Sequence, residues 1–239
     1  MKITRLLAAR NDALRTNKIP TIAFLGDSVT QGCFEIYEIG EGLETIFERK
    51  HAYSEYVSRI LGMLYPRCQV NIINAGISGD SAPGGLARIE RDVLCHAPDL
   101  TVVCFGLNDS GRGMDGIKAY SEALDGIFEK LLAAGSEVIF MTPNMMCTED
   151  SPHNTVPAFK KIAEGTMRTQ NGGVLEAYLN EAKAVAEKRG VRVCDVFAKW
   201  KLMDENGVHI TDLLSNYINH PTREMNWMFV YSLVEEMMK

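Results

Sequence analysis

A serine near the N-terminus stands where a nucleophile would be useful. A short apolar run, residues 22–25, predicts a buried strand that ends at Gly26, and Asp27 and Ser28 follow where a helix should begin. At such a turn the serine hydroxyl is exposed at the edge of a sheet, and backbone N–H groups point the same way. These amides can stabilise a developing negative charge, which suits nucleophilic attack on a carbonyl. The alternative is that Ser28 only caps the helix.

Two further strand ends supply hydrogen-bond donors. Gly79 follows a predicted strand at residues 70–73, and Asn108 follows another at residues 100–105. Because ligands bind beyond the carboxyl ends of parallel strands, both residues are expected at the same rim as Ser28. The backbone N–H of Gly79, the side-chain NH₂ of Asn108 and the Ser28 amide are the parts of an oxyanion hole. Each residue alone also fits an ordinary turn, so it is the set that favours a site.

This chemistry also needs a base, and histidine is the side chain best suited to that role near neutral pH. His220 lies in a loop just before the last predicted helix, where Pro221 stiffens the backbone and suits the first helical turn. From there the imidazole could reach back to Ser28. The remaining histidines have weaker claims, although one in the long segment after the fourth strand could touch a substrate (His153); the others are His51, His96 and His209.

The elements that must hold these residues alternate between strands and helices. Apolar runs predict five strands, and stretches of helical periodicity separate them. Since parallel neighbours need helical crossovers, the alternation indicates an α/β fold with a doubly wound parallel sheet. No linker, repeat or long charge run divides the chain, so we expect one domain over residues 1–239, with a helical extension at 1–19. The predicted strands are residues 22–25, 70–73, 100–105, 138–141 and 191–196.

Composition narrows the class of function. The chain of 239 residues has a net charge of −6, which argues against electrostatic binding of nucleic acid. Its apolar stretches are too short to span a bilayer, and the N-terminal run is too brief for a signal peptide, so no membrane partner is expected. The six cysteines lack C-x-x-C pairing. We therefore expect reduced thiols, no metal site and a cytoplasmic location.

The set Gly26-Asp27-Ser28, Gly79, Gly106-Leu107-Asn108-Asp109 and His220-Pro221 resembles the SGNH, or GDSL-type, esterase and acylhydrolase family. The blocks stand in the family's order and the resemblance covers residues 21–239. It implies a flavodoxin-like, three-layer α/β/α sandwich with a five-stranded parallel sheet of order 2-1-3-4-5. It also implies ester hydrolysis without any cofactor, with Ser28 as nucleophile and His220 as base. Gly79 and Asn108, with the Ser28 amide, would be the oxyanion-hole donors.

One departure from the family's pattern concerns the acid of the triad. The family usually places an aspartate three residues before the histidine, where this chain has Tyr217; a loop one residue longer would put the position at Asn216. Replacing the aspartate of a serine triad by asparagine costs about 10⁴ in rate. Three interpretations stay open: the Asn216 side chain accepts the imidazole N–H, a backbone carbonyl accepts it, or Asp212 folds back into the site.

The expected reaction is two-step acyl transfer through an acyl-Ser28 intermediate. A small-molecule ester is the expected partner, with a short-chain or acetyl group on a polar, carbohydrate-like alcohol. Residues 33–50 and 142–155 are insertions that would shape the pocket, and residues 144–173 are expected to be loop with a short helix.

Two alternatives stay open, a carbohydrate-binding protein without catalysis and an acyltransferase. A nucleotide-binding module is disfavoured, because residues 26–32 lack a glycine-rich phosphate-binding motif.

Overall fold

The computed structural model describes residues 1–40 and 42–239, and strands and helices alternate along most of the chain. The strands are β1 (Thr21–Gly26), β2 (Cys33–Ile39), β3 (Gly42–Phe47), β4 (Asn71–Gly76), β5 (Leu100–Cys104), β6 (Glu137–Met141) and β7 (Arg192–Cys194). The helices are α1 (Lys2–Asp12), α2 (Ser28–Gln31), α3 (Tyr53–Leu64), α4 (Ala82–Asp92), α5 (Leu107–Ser110), α6 (Ile117–Ala133), α7 (Pro157–Asn171), α8 (Val174–Arg189), α9 (Val196–Glu205) and α10 (Asn226–Met238). Short 3₁₀ turns cover Arg49–His51, Leu94–His96, Met114–Gly116 and Ile210–Leu213.

Five of the strands form one parallel sheet, in the spatial order β4-β1-β5-β6-β7. Counted along the chain within this sheet, the order is 2-1-3-4-5, which confirms the predicted fold class. The β1 and β5 runs are apolar and almost fully buried, as expected for strands with helices on both faces.

The register brings the carboxyl ends of three strands level with one another. Gly26, the last residue of β1, pairs with Gly76 of β4 on one side and with Cys104 of β5 on the other. Both glycines are needed for close approach, because a Cβ on Gly26 would collide with Thr30 and one on Gly76 with the backbone of Gln31. The chain segments that follow these strands therefore start from a common rim.

The helices that flank the sheet form two groups. In one group α3 packs on α10, and in the other α6 packs between α4 and α8. Tyr53 of α3 stacks on Phe229 of α10 with ring centroids 5.4 Å apart, and it meets Phe24 of β1 edge-on at 5.6 Å. In the second group, Phe128 of α6 meets Phe140 of β6 edge-on at 6.0 Å. Aromatic pairs of this kind tie each helical layer to the strand beneath it.

The predicted N-terminal helix is present as α1 and is docked onto the sheet. Its Ile3 and Leu7 are fully buried. The backbone N–H groups of Lys2 and Ile3 donate to the carboxylate of Glu137 at 2.8 and 2.6 Å, and this satisfies two of the free donors of the first turn. None of the helices in the described part of the chain combines the length and apolar character needed to cross a bilayer.

Most of the predicted insertion 33–50 is an antiparallel hairpin of β2 and β3 outside the main sheet, and the 3₁₀ turn Arg49–His51 follows it; Glu41 lies outside the described residues. Among the described residues of the two strands, only Cys33 and Phe34 at the base are buried, and burial falls away towards the tip. Exposed apolar side chains such as Ile39 and Phe47 therefore lie on a projecting ribbon.

Two other predictions need correction. Residues 144–173 were expected to be loop with a short helix, but α7 spans 15 residues; the pattern is weak because only Ala163 and Gln170 of this helix are buried. The predicted strand 191–196 is shortened to β7, because Asp195 accepts a hydrogen bond from the backbone N–H of Ala198 and so caps α9.

Candidate active site

The turn after β1 places Ser28 as the sequence predicts. Asp27 is the N-cap of α2, and its side chain accepts a hydrogen bond from the Val29 N–H at 3.0 Å. Ser28 is the first residue of that helix and is 3% exposed. Its hydroxyl consequently lies at the sheet edge in a largely dehydrated setting, close to the unpaired N–H groups of a helix start.

His220 and Ser28 meet although 192 residues separate them in sequence, with the Ser28 Oγ 3.0 Å from the His220 Nε2. The other ring nitrogen, Nδ1, lies 2.8 Å from the backbone carbonyl oxygen of Phe34, the second residue of β2. A carbonyl oxygen can only accept, so the neutral ring carries its hydrogen on Nδ1. Nε2 is thereby left with a lone pair facing the serine hydroxyl, which is the tautomer a general base requires.

Burial lowers the pKa of His220 below its ordinary value of 6.5, while the hydrogen bond to Phe34 and the charge of Glu35 act in the opposite direction. The imidazole is 4% exposed, so its neutral form is favoured near pH 7. A neutral, oriented histidine beside a serine hydroxyl is the arrangement expected for nucleophile activation.

Neither candidate side chain lies at Nδ1. The Asn216 Oδ1 instead accepts the backbone N–H groups of Ile218, Asn219 and His220 at 3.0, 2.9 and 3.0 Å, so Asn216 shapes the loop rather than the ring. Asp212 is exposed in the 3₁₀ turn before that loop, and the two ring nitrogens of His220 lie against Phe34 and Ser28 instead. Of the three interpretations, the geometry matches the backbone carbonyl.

Tyr217, which stands where the family's aspartate is expected, has a left-handed backbone with φ of 54°. Its ring stacks on His153, with centroids 4.7 Å apart. Of the other histidines, His209 lies 2.7 Å from a carboxylate oxygen of Glu149 on the surface, and His51 lies 2.7 Å from the Tyr56 hydroxyl. His220 is thus the histidine that the structure brings to Ser28.

The candidate oxyanion donors lie along the rim next to Ser28. Asn108 is on the short helix α5 after β5, and its Nδ2 donates to the carbonyl of Asp80 at 2.8 Å, which uses one of its two hydrogens. Gly79 precedes that carbonyl and has φ of +77°, a conformation open to glycine at little cost. Within the described residues, neither the Gly79 nor the Ser28 N–H has a hydrogen-bond acceptor. Both donors are therefore available to a ligand.

Sequence reasoning missed a buried arginine that holds this rim together. Arg88 of α4 donates to the carbonyl of Ala75 at 2.7 Å and to that of Gly26 at 3.0 Å, and so joins the ends of β4 and β1. Its Nε also donates to Asp80 at 2.7 Å, next to the carbonyl that holds Asn108. The only sequence signal was a charged residue on a helix face that also carries Ile89.

Two buried carboxyl groups lie behind the rim. Burial raises the pKa of Asp27 to about 7, and the charges of Asp109 and Asp80 add to the rise. Burial likewise raises the pKa of Asp109 to about 6. One Asp109 oxygen accepts the Ala82 N–H at 2.9 Å, while the other is buried without a partner among the described residues. In residues 1–40 and 42–239, no cluster of three or more His, Cys, Asp or Glu side chains is spaced to hold a metal ion.

A cavity of about 360 Å³ opens beside the site, between Asn108 and Asn219. Helix α7 forms much of its wall and contributes Lys161, Ile162, Gly165, Thr166 and Thr169. The predicted insertion 142–155 adds only Met146. Hydroxyl and amide groups thus share this cavity with a few apolar side chains, as in sites that bind small polar molecules.

Comparison with known proteins identifies the family of this chain. A sequence profile of the GDSL-like lipase/acylhydrolase family matches residues 24–228. An acetylxylan esterase of Geobacillus stearothermophilus is 34% identical over 94 residues, a segment covering 39% of this chain and 42% of that esterase. An arylesterase of Vibrio mimicus is 35% identical over 72 residues, covering 30% of this chain and 36% of the relative. The matched segments thus span less than two thirds of the length of these curated relatives.

Solved structures match over nearly the whole chain. A crystal structure of the acetylxylan esterase of Geobacillus stearothermophilus superposes with a TM-score of 0.66 at 21% identity, covering 92% of this chain and 96% of that one. A hydrolase from the metagenome of Lake Arreo gives a TM-score of 0.67 at 20% identity, covering 91% and 94%. At these identities the likeness shows a shared fold.

Proposed function

Because the chain belongs to the GDSL-like lipase/acylhydrolase family, we propose that it is a serine esterase in which Ser28 is the nucleophile and His220 the base. The observation that carries the proposal is the 3.0 Å approach of the His220 Nε2 to the Ser28 Oγ, with Nδ1 held by a carbonyl. In the part of the chain that the structure describes, the N–H groups of Ser28 and Gly79 have no acceptor and follow neighbouring strand ends, which supports a role in oxyanion stabilisation.

In the first step, the Ser28 Oγ attacks the ester carbonyl carbon while its proton passes to the His220 Nε2. The carbonyl oxygen becomes an oxyanion, which the Ser28 N–H, the Gly79 N–H and the Asn108 side chain stabilise. The tetrahedral intermediate then collapses as the bond to the alcohol oxygen breaks. The imidazolium gives its proton to the departing alcohol, and an acyl-Ser28 ester remains.

In the second step, water attacks the acyl carbon and His220 takes a proton from it. The new tetrahedral intermediate breaks its bond to Ser28, the proton returns to the Oγ, and a carboxylic acid leaves. The cycle needs no cofactor: the Ser28 proton leaves with the alcohol, Ser28 regains a proton from water, and His220 returns to its neutral form. If another alcohol replaced water here, the same residues would catalyse acyl transfer.

The proposed substrate class is a short-chain, chiefly acetyl, ester of a carbohydrate. The acetylxylan esterase among the relatives supports this class, as does the cavity beside Asn108. Its Thr166, Thr169 and Asn219 can hydrogen-bond sugar hydroxyls, and Ile162 and Met146 offer apolar surface. We further propose a cytoplasmic location, which the six free thiols support.

The experiment compares the wild-type protein with Ser28→Ala and Asn108→Ala on p-nitrophenyl acetate and acetylated xylo-oligosaccharides. Ser28→Ala should lower kcat by roughly 10⁵–10⁶, and Asn108→Ala by roughly 10²–10³. Ser121→Ala is the matched control, because its hydroxyl only donates to the Lys118 carbonyl on the surface of α6. A rate in Ser28→Ala equal to that of the control would remove the assignment.

A fluorophosphonate probe separates an enzyme from a binding protein. An activated Ser28 should be labelled in the wild-type protein and in Ser121→Ala, but not in Ser28→Ala. An unlabelled wild-type protein that still binds the oligosaccharide would make it a carbohydrate-binding member of the fold. Product analysis with added alcohols then distinguishes hydrolysis from acyl transfer.

A further inference from the structure

Arg223 lies three residues after His220, in the turn that leads into α10, and it contacts the base of the β2–β3 hairpin. Its Nη1 and Nη2 donate to the two carboxylate oxygens of Glu35 at 2.7 and 2.9 Å. Nη2 and Nε also reach the two oxygens of Glu48 at 2.7 and 3.2 Å. The guanidinium lies over the Phe34 ring, 4.4 Å from its centroid. One cation therefore contacts three side chains of the hairpin base, those of Phe34, Glu35 and Glu48.

The same hairpin base supplies the acceptor for the imidazole. Phe34 and Glu35 are neighbours in β2, and the Phe34 carbonyl oxygen is the atom 2.8 Å from the His220 Nδ1. Glu48 follows β3 directly, and its backbone N–H donates to the Gly32 carbonyl at 2.9 Å, which closes the hairpin. Arg223 thus joins the loop that carries the imidazole to the strand that orients it.

The rest of the hairpin gives this acceptor little support. Beyond Phe34 the ribbon is increasingly exposed, and a two-stranded hairpin is marginally stable by itself in water. In the family's usual pattern, an aspartate three residues before the histidine would carry the acceptor on a side chain within the histidine's own loop. Here the acceptor lies 186 residues away in sequence, so the distance between the two segments must be fixed by another contact.

We propose that Arg223 is a positioning residue that, through Glu35, Glu48 and the Phe34 ring, holds the Phe34 carbonyl against the His220 Nδ1 and so replaces the orienting role of the missing aspartate. This assignment rests on the proposed esterase function. The two carboxylates around one guanidinium also leave a negative charge near the ring, which favours the imidazolium formed during turnover.

Electrostatics favour a permanent contact of Arg223 with Glu35, Glu48 and the Phe34 ring, which we call the clamp. Hydrogen bonds from Arg223 lower the pKa values of Glu35 and Glu48, so both stay ionised at neutral pH. Ion pairs at partly exposed sites contribute little to stability. A bidentate guanidinium nevertheless fixes geometry, and lysine cannot reproduce its fork. Loss of Arg223 should therefore affect turnover more than folding.

The test uses Arg223→Met and Arg223→Lys with Arg189→Met as matched control. Arg189 makes an equally bidentate pair with Asp125, at 2.6 Å for both bonds, between α6 and α8. The exposed fractions of the two arginine side chains are 27% for Arg189 and 26% for Arg223. The control therefore loses a similar ion pair far from Ser28.

With p-nitrophenyl acetate, Arg223→Met should lower kcat by roughly 10–100-fold, as expected when a catalytic group shifts by about 1 Å. KM should stay within about twofold, because Arg223 is proposed to act on the orientation of the imidazole and not on binding of the ester. Arg223→Lys should lie between wild type and Arg223→Met, and Arg189→Met should keep the wild-type kcat. ¹⁵N-histidine NMR should show the hydrogen of His220 on Nδ1 in wild type and a mixture of tautomers in Arg223→Met.

A folded Arg223→Met protein with wild-type kcat and an unchanged His220 tautomer would overturn the clamp. If that variant does not fold, Glu48→Gln weakens only one of the ion pairs and should still lower kcat more than Arg189→Met; a kcat equal to the control is the contrary result. Fluorophosphonate labelling keeps the two proposals apart. An unlabelled wild-type protein contradicts the esterase, whereas equal labelling rates of wild type and Arg223→Met contradict only the clamp.

Discussion

Two arginines hold the two halves of the site in different ways. The half that carries Ser28, Gly79 and Asn108 follows the ends of parallel strands, and Arg88 joins these ends from a position that is 8% exposed. The half that carries His220 consists of a loop and a hairpin base, joined at the surface by Arg223. The first arginine satisfies buried carbonyls of the sheet, and the second fixes the distance between two irregular segments. The comparison shows that the strand-end rim and the imidazole of His220 are held by separate contacts.

Arg88→Met should produce the largest effect on stability. It removes the donors to two strand-end carbonyls and leaves Asp80 without its partner, and loss of one member of a buried pair costs about 3–5 kcal/mol. Urea unfolding should show this loss, whereas Arg223→Met should cost about 1 kcal/mol or less. Equal losses in the two variants would remove the distinction between a structural and a positioning arginine.

The two halves also differ in how well the sequence predicts them. Ser28, Gly79 and Asn108 each follow an apolar run at a strand end, so periodicity alone brings them to one rim. The acceptor of His220 is a backbone carbonyl of Phe34, which has no side-chain signature, and its partner is distant in sequence. Helix α7 was expected only as a short helix, because its cavity-facing Thr166 and Thr169 carry no strong apolar pattern.

The two halves can also be compared by varying the pH, because burial shifts the pKa values of Asp27 and His220 in opposite directions. The pKa of Asp27 rises from 3.8 to about 7, so the folded state binds this proton more tightly than the unfolded chain does. The associated stabilisation is complete below 3.8 and is lost as the pH rises through about 7. The pKa of His220 is lowered from 6.5, so its contribution is present above 6.5 and is lost as the pH falls through the lowered value.

Asp27→Asn isolates the first of these contributions. The asparagine keeps an oxygen for the Val29 N–H but cannot titrate. The difference in unfolding free energy between this variant and wild type should change between pH 4 and pH 7, with wild type losing stability relative to the variant as the pH rises. Denaturant unfolding across this range measures the difference, in which the His220 contribution cancels. A difference that stays constant with pH would mean that Asp27 titrates at its ordinary value.

The smallest effect on kcat is expected for Asp212→Asn. This variant tests most directly which group orients His220. Asp212 is the carboxylate near His220 that the sequence analysis considered as an orienter. It is exposed, and both ring nitrogens of His220 have other partners. If the Phe34 carbonyl serves in its place, removal of this charge should leave kcat within about twofold of wild type. Asn216→Ala is the informative contrast, because the Asn216 Oδ1 accepts three backbone N–H groups and its loss should misplace His220. A hundredfold fall in kcat for Asp212→Asn would instead indicate that a carboxylate orients the imidazole during turnover, as in an ordinary serine triad. The Phe34 carbonyl would then not be the orienting group, and the positioning role of Arg223 would be contradicted.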